Sequence, residues 1–365
     1  MSNEVQLSDS TLKADLLYGG GTKTGDVREN TLRITGGADV TVTYAIGGST
    51  EAGAASDNKV TLEGDGTKLT ADMLIGGWAA DGAVSGNTVT LSGGTAAADR
   101  LYGGGSGSGD AVNNTVSVTG GTVETKTEGS EYAAVLAGGY SQTGHVKGNL
   151  VDISGGSFTD VGVYGGKTDE GDAVENKVHI DSGKEIELWS VVGGDTVSGT
   201  ALGNVVTIEG DGTSLDANEI GGGWSTDGEA SWNNVTLRGA VTAGLVYGGG
   251  GRSGDAVDNA VYVSGAVINE KTDTSITPKG LAGGFSETGD VSSNFVSITE
   301  GSSVKTDVYG GRSKEGTVAG NGVEISGADT VVTASAIVGG WSESGSVLDN
   351  DVTISGGNVT GGFDS

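Results

Sequence analysis

Tyr164-Gly165-Gly166-Lys167-Thr168-Asp169-Glu170-Gly171-Asp172-Ala173-Val174-Glu175-Asn176-Lys177-Val178-His179-Ile180 is one copy of a pattern that recurs twelve times. In general form it reads Gly-Gly-x4-Gly-x4-Asn-x-apolar-x-apolar. Its leading Gly falls at 19, 47, 76, 103, 138, 165, 193, 222, 248, 283, 310 and 339. A third Gly follows six residues later in every copy. An Asn follows after eleven: Asn30, Asn58, Asn87, Asn114, Asn149, Asn176, Asn204, Asn233, Asn259, Asn294, Asn321 and Asn350. A fixed period of 20 to 50 residues is the mark of a stacked repeat architecture.

The apolar residues alternate within each copy. Val or Leu stands two residues past each Asn and Ile, Leu or Val two further on, as in Val89 and Leu91. An Ala or Val sits between the third Gly and the Asn, as in Val27, Ala55 and Val84. Alternation of this kind marks strands with one buried face. Each copy therefore reads as one coil of three short strands: one entering the Gly pair, one at the Ala or Val, one after the Asn. Gly is expected at the corners for positive φ or close backbone approach. Asn is expected to take the left-handed region or bond its own turn. Stacked at ~4.8 Å, the Asn side chains would form an amide ladder. The predicted fold is an all-β, single-stranded β-solenoid, a parallel β-helix of about twelve coils of ~29 residues. It runs as one continuous array over residues 1–365, with a partial first coil at 1–17 and room for a truncated one at 358–365.

A longer period lies above the first. Leu62-Glu63-Gly64-Asp65-Gly66-Thr67 returns as Ile208-Glu209-Gly210-Asp211-Gly212-Thr213, and Tyr102-Gly103-Gly104-Gly105 as Tyr247-Gly248-Gly249-Gly250. The five-coil block thus repeats after 145 or 146 residues, and its two 35-residue coils carry insertions at 125–133 and 269–279. Binding residues concentrate on such loops.

Composition narrows the function. Nineteen basic residues stand against 48 acidic ones, a net charge of −29. A surface this negative repels nucleic acid and anionic lipid. No apolar run approaches the 18 residues of a membrane span, and none of this segment is expected to insert directly into a membrane. The start, Met1-Ser2-Asn3-Glu4, is polar, and the chain is expected to be a segment of a longer secreted protein. Association of open solenoid ends, opposed by the charge and promoted by salt, is expected for the isolated segment.

The style Tyr-Gly-Gly…Gly…Asn-x-Val-x-Ile, seen over 164–183 and 338–357, resembles the passenger regions of bacterial autotransporter and haemagglutinin-like adhesins. Gly- and Asn-rich β-solenoids of phage tail fibres are similar in style. The first resemblance implies a right-handed β-helix, an extracellular or cell-surface location, and adhesion or display. The expected partner is a host or bacterial surface glycan or protein, or a second copy of the chain; a carbohydrate-binding or fibre-like module is the alternative.

An enzyme has little to stand on. The chain has two His and no Cys. His145 occupies a corner slot that holds Asp26, Asp110, Asp172 or Asp255 in other coils, and His179 occupies an outward slot shared with Thr61, Thr90 and Thr207. A polysaccharide-acting enzyme, as on other β-helices, is the last alternative, but fold alone supplies no chemistry. No catalytic residue, cofactor or metal is assigned. The stacked acids Glu229, Asp255 and Asp290 read as solvated corners, with a weak cation site as the lesser reading. A Thr-bearing ice-binding face is broken by Arg33, Asp152, His179, Tyr262 and Glu324. The remaining feature is aromatic. The residue after the Gly pair is Trp78, Tyr140, Trp224, Phe285 or Trp341 in five coils. Either each ring covers the apolar edge of its own corner, or the row stacks on sugar rings or anchors a partner.

Overall fold

The computed structural model describes residues 2–126 and 133–361. It is an all-β solenoid of about 13 turns, built from stacked parallel strands, with no helix among the described residues. The chain divides into two compact units. One holds Met1–Asp172 with Asn176–Ser182 and Glu187–Trp189; the other holds Ser190–Ser365 with Ala173–Glu175 and Gly183–Ile186.

In the first unit a representative coil has a Gly-pair strand at Tyr44–Ala52, a short strand at Ala55–Ser56 and a post-Asn strand at Lys59–Leu62. Each pairs in parallel with its counterpart one coil on: Tyr44 with Met73, Ala55 with Val84, Lys59 with Thr88. The second unit repeats the plan at Ala240–Gly251, Ala256–Val257 and Ala260–Ser264. A further paired stretch precedes the Gly-pair strand. In Lys68–Asp81 and Ala240–Gly251 it is continuous with that strand, leaving three strands to the coil; in Asp39–Thr41 and Ser303–Lys305 it stands apart. Its inward residues, among them Val40, Leu69 and Val304, are fully buried.

The amide ladder is present in both units. In the first, Nδ2 of Asn30, Asn58, Asn87, Asn114 and Asn149 donates to Oδ1 of the next Asn at 2.8–3.0 Å, ending on Asn176. In the second, Asn204 starts an equivalent run that ends on Asn350, with the same range of distances. Each Oδ1 also accepts the backbone N–H of the Asn below, as Asn114 does from Asn87. The second Nδ2 hydrogen goes to a main-chain carbonyl of the preceding coil, as Asn87 to Ala55. The 35-residue insertions leave this register intact, since Asn114 bonds Asn149 and Asn259 bonds Asn294. Asn3 adds a rung below Asn30. A search keyed to Gly pairs misses it, because no Gly pair precedes it.

The ladder explains the glycines. A Cβ on Gly77 would lie 2.2 Å from Oδ1 of Asn87, and the second Gly of every pair meets its own Asn in the same way. A Cβ on the first Gly of the pair meets a neighbouring coil's carbonyl, and the third Gly stacks on its own column: on Gly254 it would be 1.6 Å from the Gly228 oxygen. Close approach therefore selects these glycines. The left-handed residue, expected to be the Asn, is instead the one before it. That position has φ between 51° and 66° in all twelve coils, from Glu29 through Gly86, Asn113 and Gly148 to Asp349. The Asn itself is free to turn its carboxamide inward because its neighbour makes the corner.

A second buried polar column was not legible. Three residues after the leading Gly stands Ser or Thr in ten of the twelve coils. Ser106, Ser141, Ser286 and Ser313 each donate to the third-Gly carbonyl one coil below and accept the N–H of their own third Gly. The hydroxyl does for this corner what the amide does for the other. Among the described residues, Ser10 Oγ is the buried side-chain polar atom without a partner.

Breaking a buried amide rung leaves several groups unpaired at about 1–3 kcal/mol each. Asn87→Ala and Gly77→Ala should each lower stability by at least that amount, the first by emptying the rung and the second by pushing the carboxamide out. The double variant should cost clearly less than the sum, because the added methyl then enters space that the amide has vacated. Urea unfolding of the four proteins measures the coupling; strict additivity would mean the two positions do not compete for one site.

Candidate functional site

The Gly pair places two side chains on one flank of each coil: the residue just before it and the residue just after it. Because the glycines bring successive coils together here, rings from different coils meet. In the first unit Tyr102, which precedes its pair, stacks on Tyr140, which follows the next one, with centroids 4.9 Å apart and planes 15° from parallel. Trp78, Tyr18 and Tyr164 pack against the same cluster around buried Ile46 and Ile75. Lys167 sits 4.8 Å above the Tyr164 ring. In the second unit Trp224 meets Tyr247 edge-on at 5.8 Å and Phe285 face-on at 6.4 Å. Arg312 is held between Tyr309 and Trp341, 4.6 Å from each ring centre. Contacts of this geometry are each worth ~0.5–1.5 kcal/mol.

Trp224 and Phe285 lie two coils apart, where about 10 Å of separation is expected from the strand spacing. They close to 6.4 Å because Gly250 stands between them, without a side chain to hold them off. Gly105 does the same beside Trp78, where a Cβ would come within 2.9 Å of the indole.

Of the five ring positions named from sequence, Trp78, Tyr140, Trp224 and Trp341 are half-buried, while Phe285 is buried at 3 % exposure and offers no accessible face. Both readings thus apply in part: the rings cover their neighbours, and four of them keep surface. The column before the Gly pair was overlooked in the sequence, although Tyr stands there at 18, 102, 164, 247 and 309. The two clusters are copies. Trp78, Tyr102, Tyr140, Tyr164 and Lys167 correspond to Trp224, Tyr247, Phe285, Tyr309 and Arg312, 145 or 146 residues on.

Burial raises the pKa of Tyr102, Tyr140 and Tyr309, so all three stay protonated at neutral pH. Glu219 accepts a hydrogen bond from the hydroxyl of Tyr247, the ring that Trp224 meets edge-on. Desolvation raises the pKa of its carboxyl, the Tyr247 bond opposes this, and the Asp195 charge adds to it.

The other candidates resolve into structure. Asp26, Asp110, Asp255 and Asp290 accept the N–H of the corner residue one coil on, at 2.7–3.0 Å. His179 pairs with Asp152 one coil below at 2.8 Å. Among the described residues no group of three or more His, Cys, Asp and Glu is placed to hold a metal ion. The insertion at 125–133 lies mostly outside the described residues. In the second insertion Ile276 packs against the ring cluster, and a Cβ on Gly244 would meet Thr274 at 2.6 Å, so the loop lies on the coil. Lys126 pairs with Asp72 and Lys271 with Asp216, tying each insertion's start to a lower coil. No family model, curated protein or solved structure matches this chain.

A raised carboxyl pKa in the fold means that the neutral acid favours folding. That contribution is complete below the ordinary Glu value and is lost as pH rises through the raised one. Glu219→Gln keeps the acceptor for Tyr247 and stays neutral. Its melting temperature should match the parent near pH 4 and exceed it at pH 8; an equal difference at both pH values would show that the carboxyl is solvated.

Proposed function

We propose that this chain is a non-enzymatic, structural and adhesive segment of a secreted bacterial surface protein, similar to an autotransporter or haemagglutinin-like passenger. Its contact surface for a surface glycan is the ring-lined flank. The observation that carries this reading is the duplication of the ring-and-cation cluster. A packing patch tolerates any apolar filling, whereas here Trp, Tyr, a second ring, Tyr and a cation return in the same order in both units. Half-exposed rings next to a cationic donor are the chemistry that stacks on a sugar and bonds its hydroxyls. The interior polar groups are consumed by the two ladders, so a contact chemistry has to come from outward side chains such as those of the flank.

The test is retention of the chain on an array of bacterial and host surface saccharides, together with an assay for released reducing ends. Replacing Trp78 and Trp224 by Ala, one ring in each cluster, should weaken retention about fivefold, as expected for the loss of one ring contact of ~1 kcal/mol per site. The Tyr replacements should keep most of it. Saccharide cleavage, or retention indifferent to both rings, would overturn the reading.

A further inference from the structure

Each coil samples the left-handed slot before the Asn once, so the chain itself shows what that slot accepts. Four coils place Gly there, and the others place Asp, Glu, Asn or Ser, with one exception. The exception is Trp232, at φ 58° and 61 % exposed. An L-residue in this region costs ~1 kcal/mol, and a bulky one is a conspicuous outlier. The indole makes no ring contact or hydrogen bond among the described residues that would offset that cost. A residue that strains the backbone and exposes its ring to water is a candidate for function.

Its surroundings indicate the chemistry of what it meets. Trp232 borders the short-strand face of the second unit, where Ser231 pairs with Leu202 and Val257 of the adjacent coils. Leu202 is 37 % exposed and Val257 partly so, which puts aliphatic surface on the strand face beside the indole. The corner slot along the same face holds Glu229, Asp255 and Asp290 in succession, and the slot after Trp232 in its own column holds Asp258. The side-chain carboxylates of Glu229 and Asp258 have no hydrogen-bond or ion-pair partner among the described residues. No Lys or Arg lies within 199–203, 228–232, 254–258 or 289–293. The face therefore joins an open indole, aliphatic surface and uncompensated carboxylates, on a chain of net charge −29.

We infer that Trp232 and the carboxylates around it form a docking site for a Lys- or Arg-bearing polypeptide segment. A cation over an indole face is attracted by the ring and further by carboxylates a few ångströms away. Lys and Arg pair an aliphatic stem with a cationic head, and so match Leu202 and Val257 as well as the acids. The net charge draws such a partner in from a distance, while the indole decides where it settles. This site is independent of the glycan-binding flank.

The slot provides its own test. Trp232→Gly installs the residue found at Gly86, Gly148, Gly203 and Gly320, removes the strain and leaves every charge in place. Its unfolding midpoint is expected to equal or exceed the parent's. Calorimetric titration with a lysine decapeptide near 0.15 M salt should show affinity about fivefold weaker in Trp232→Gly. Trp232→Tyr should retain most of it, and Trp189→Ala, which removes another exposed ring, should leave it unchanged. An unchanged affinity in Trp232→Gly would mean that charge alone holds the peptide and would overturn the site. A lowered midpoint would make the indole a packing residue and overturn it equally. Spermine binding with the same dependence on Trp232 would replace the polypeptide by a small polyamine as the occupant.

Discussion

A buried carboxamide that accepts two hydrogen bonds and donates two is the constraint from which the rest of this structure follows. Asn87 accepts from the N–H and Nδ2 of Asn58, and donates to Asn114 and to the Ala55 carbonyl. Every lone pair and hydrogen of the amide is used, which is what a fully buried polar group requires. The geometry leaves no freedom beneath it. The Gly opposite cannot carry a Cβ, the residue before the Asn must take the left-handed turn, and the coil above must present its own Asn one strand spacing away. A Gln would overreach the rung and an Asp would bring like charges into line, so the repeat admits one residue type at this position.

With the polar interior satisfied in this way, the coils are free to differ outside. Insertions enter between the post-Asn strand and the next Gly pair without disturbing the rungs, as Asn114 and Asn259 show by bonding across the two long coils. Ring chemistry occupies the flank that the glycines create. Where two coils approach without side chains, aromatic groups from different coils come within stacking distance, and Gly105 and Gly250 extend this by letting rings lean over an empty position. The glycines that make the ladder possible thus also assemble the candidate contact surface.

The Gly pair, the Asn and the inward aliphatic residues are legible in the sequence because each recurs with one identity at one spacing. What escaped has two physical origins. Some positions are defined by backbone shape rather than side-chain type: the left-handed corner holds Glu29, Gly86, Asn113 and, as a strained exception, Trp232, and so has no single letter to find. Others depend on partners in different coils. Tyr102 is unremarkable until Tyr140 lies on it, and the hydroxyl of Ser106 gains its role from the Gly82 carbonyl one coil below. Asn3 was missed for a third reason, since it is a complete rung in an incomplete coil. Of the rings named from sequence, Phe285 is buried in its flank cluster, where Gly250 lets Trp224 stack on it and Ile276 packs against the same cluster.

Repetition also separates what a position needs from what it happens to carry. The corner after the third Gly holds Asp in several coils, and a negative charge is the obvious common factor. His145 shows otherwise. Its Nδ1 accepts the Asp172 N–H at 3.0 Å, while its own N–H is accepted by Asp110 at 2.9 Å. A ring nitrogen fills the place of a carboxylate oxygen. Ala54 and Ala83 fill the same corner with no side-chain acceptor at all, so neither the charge nor the bond is indispensable there. The acidity of this corner is for that reason not required by the fold: uncharged Ala54, Ala83, Thr200, Thr317 and Ser346 hold it in other coils, while stacked carboxylates there repel one another.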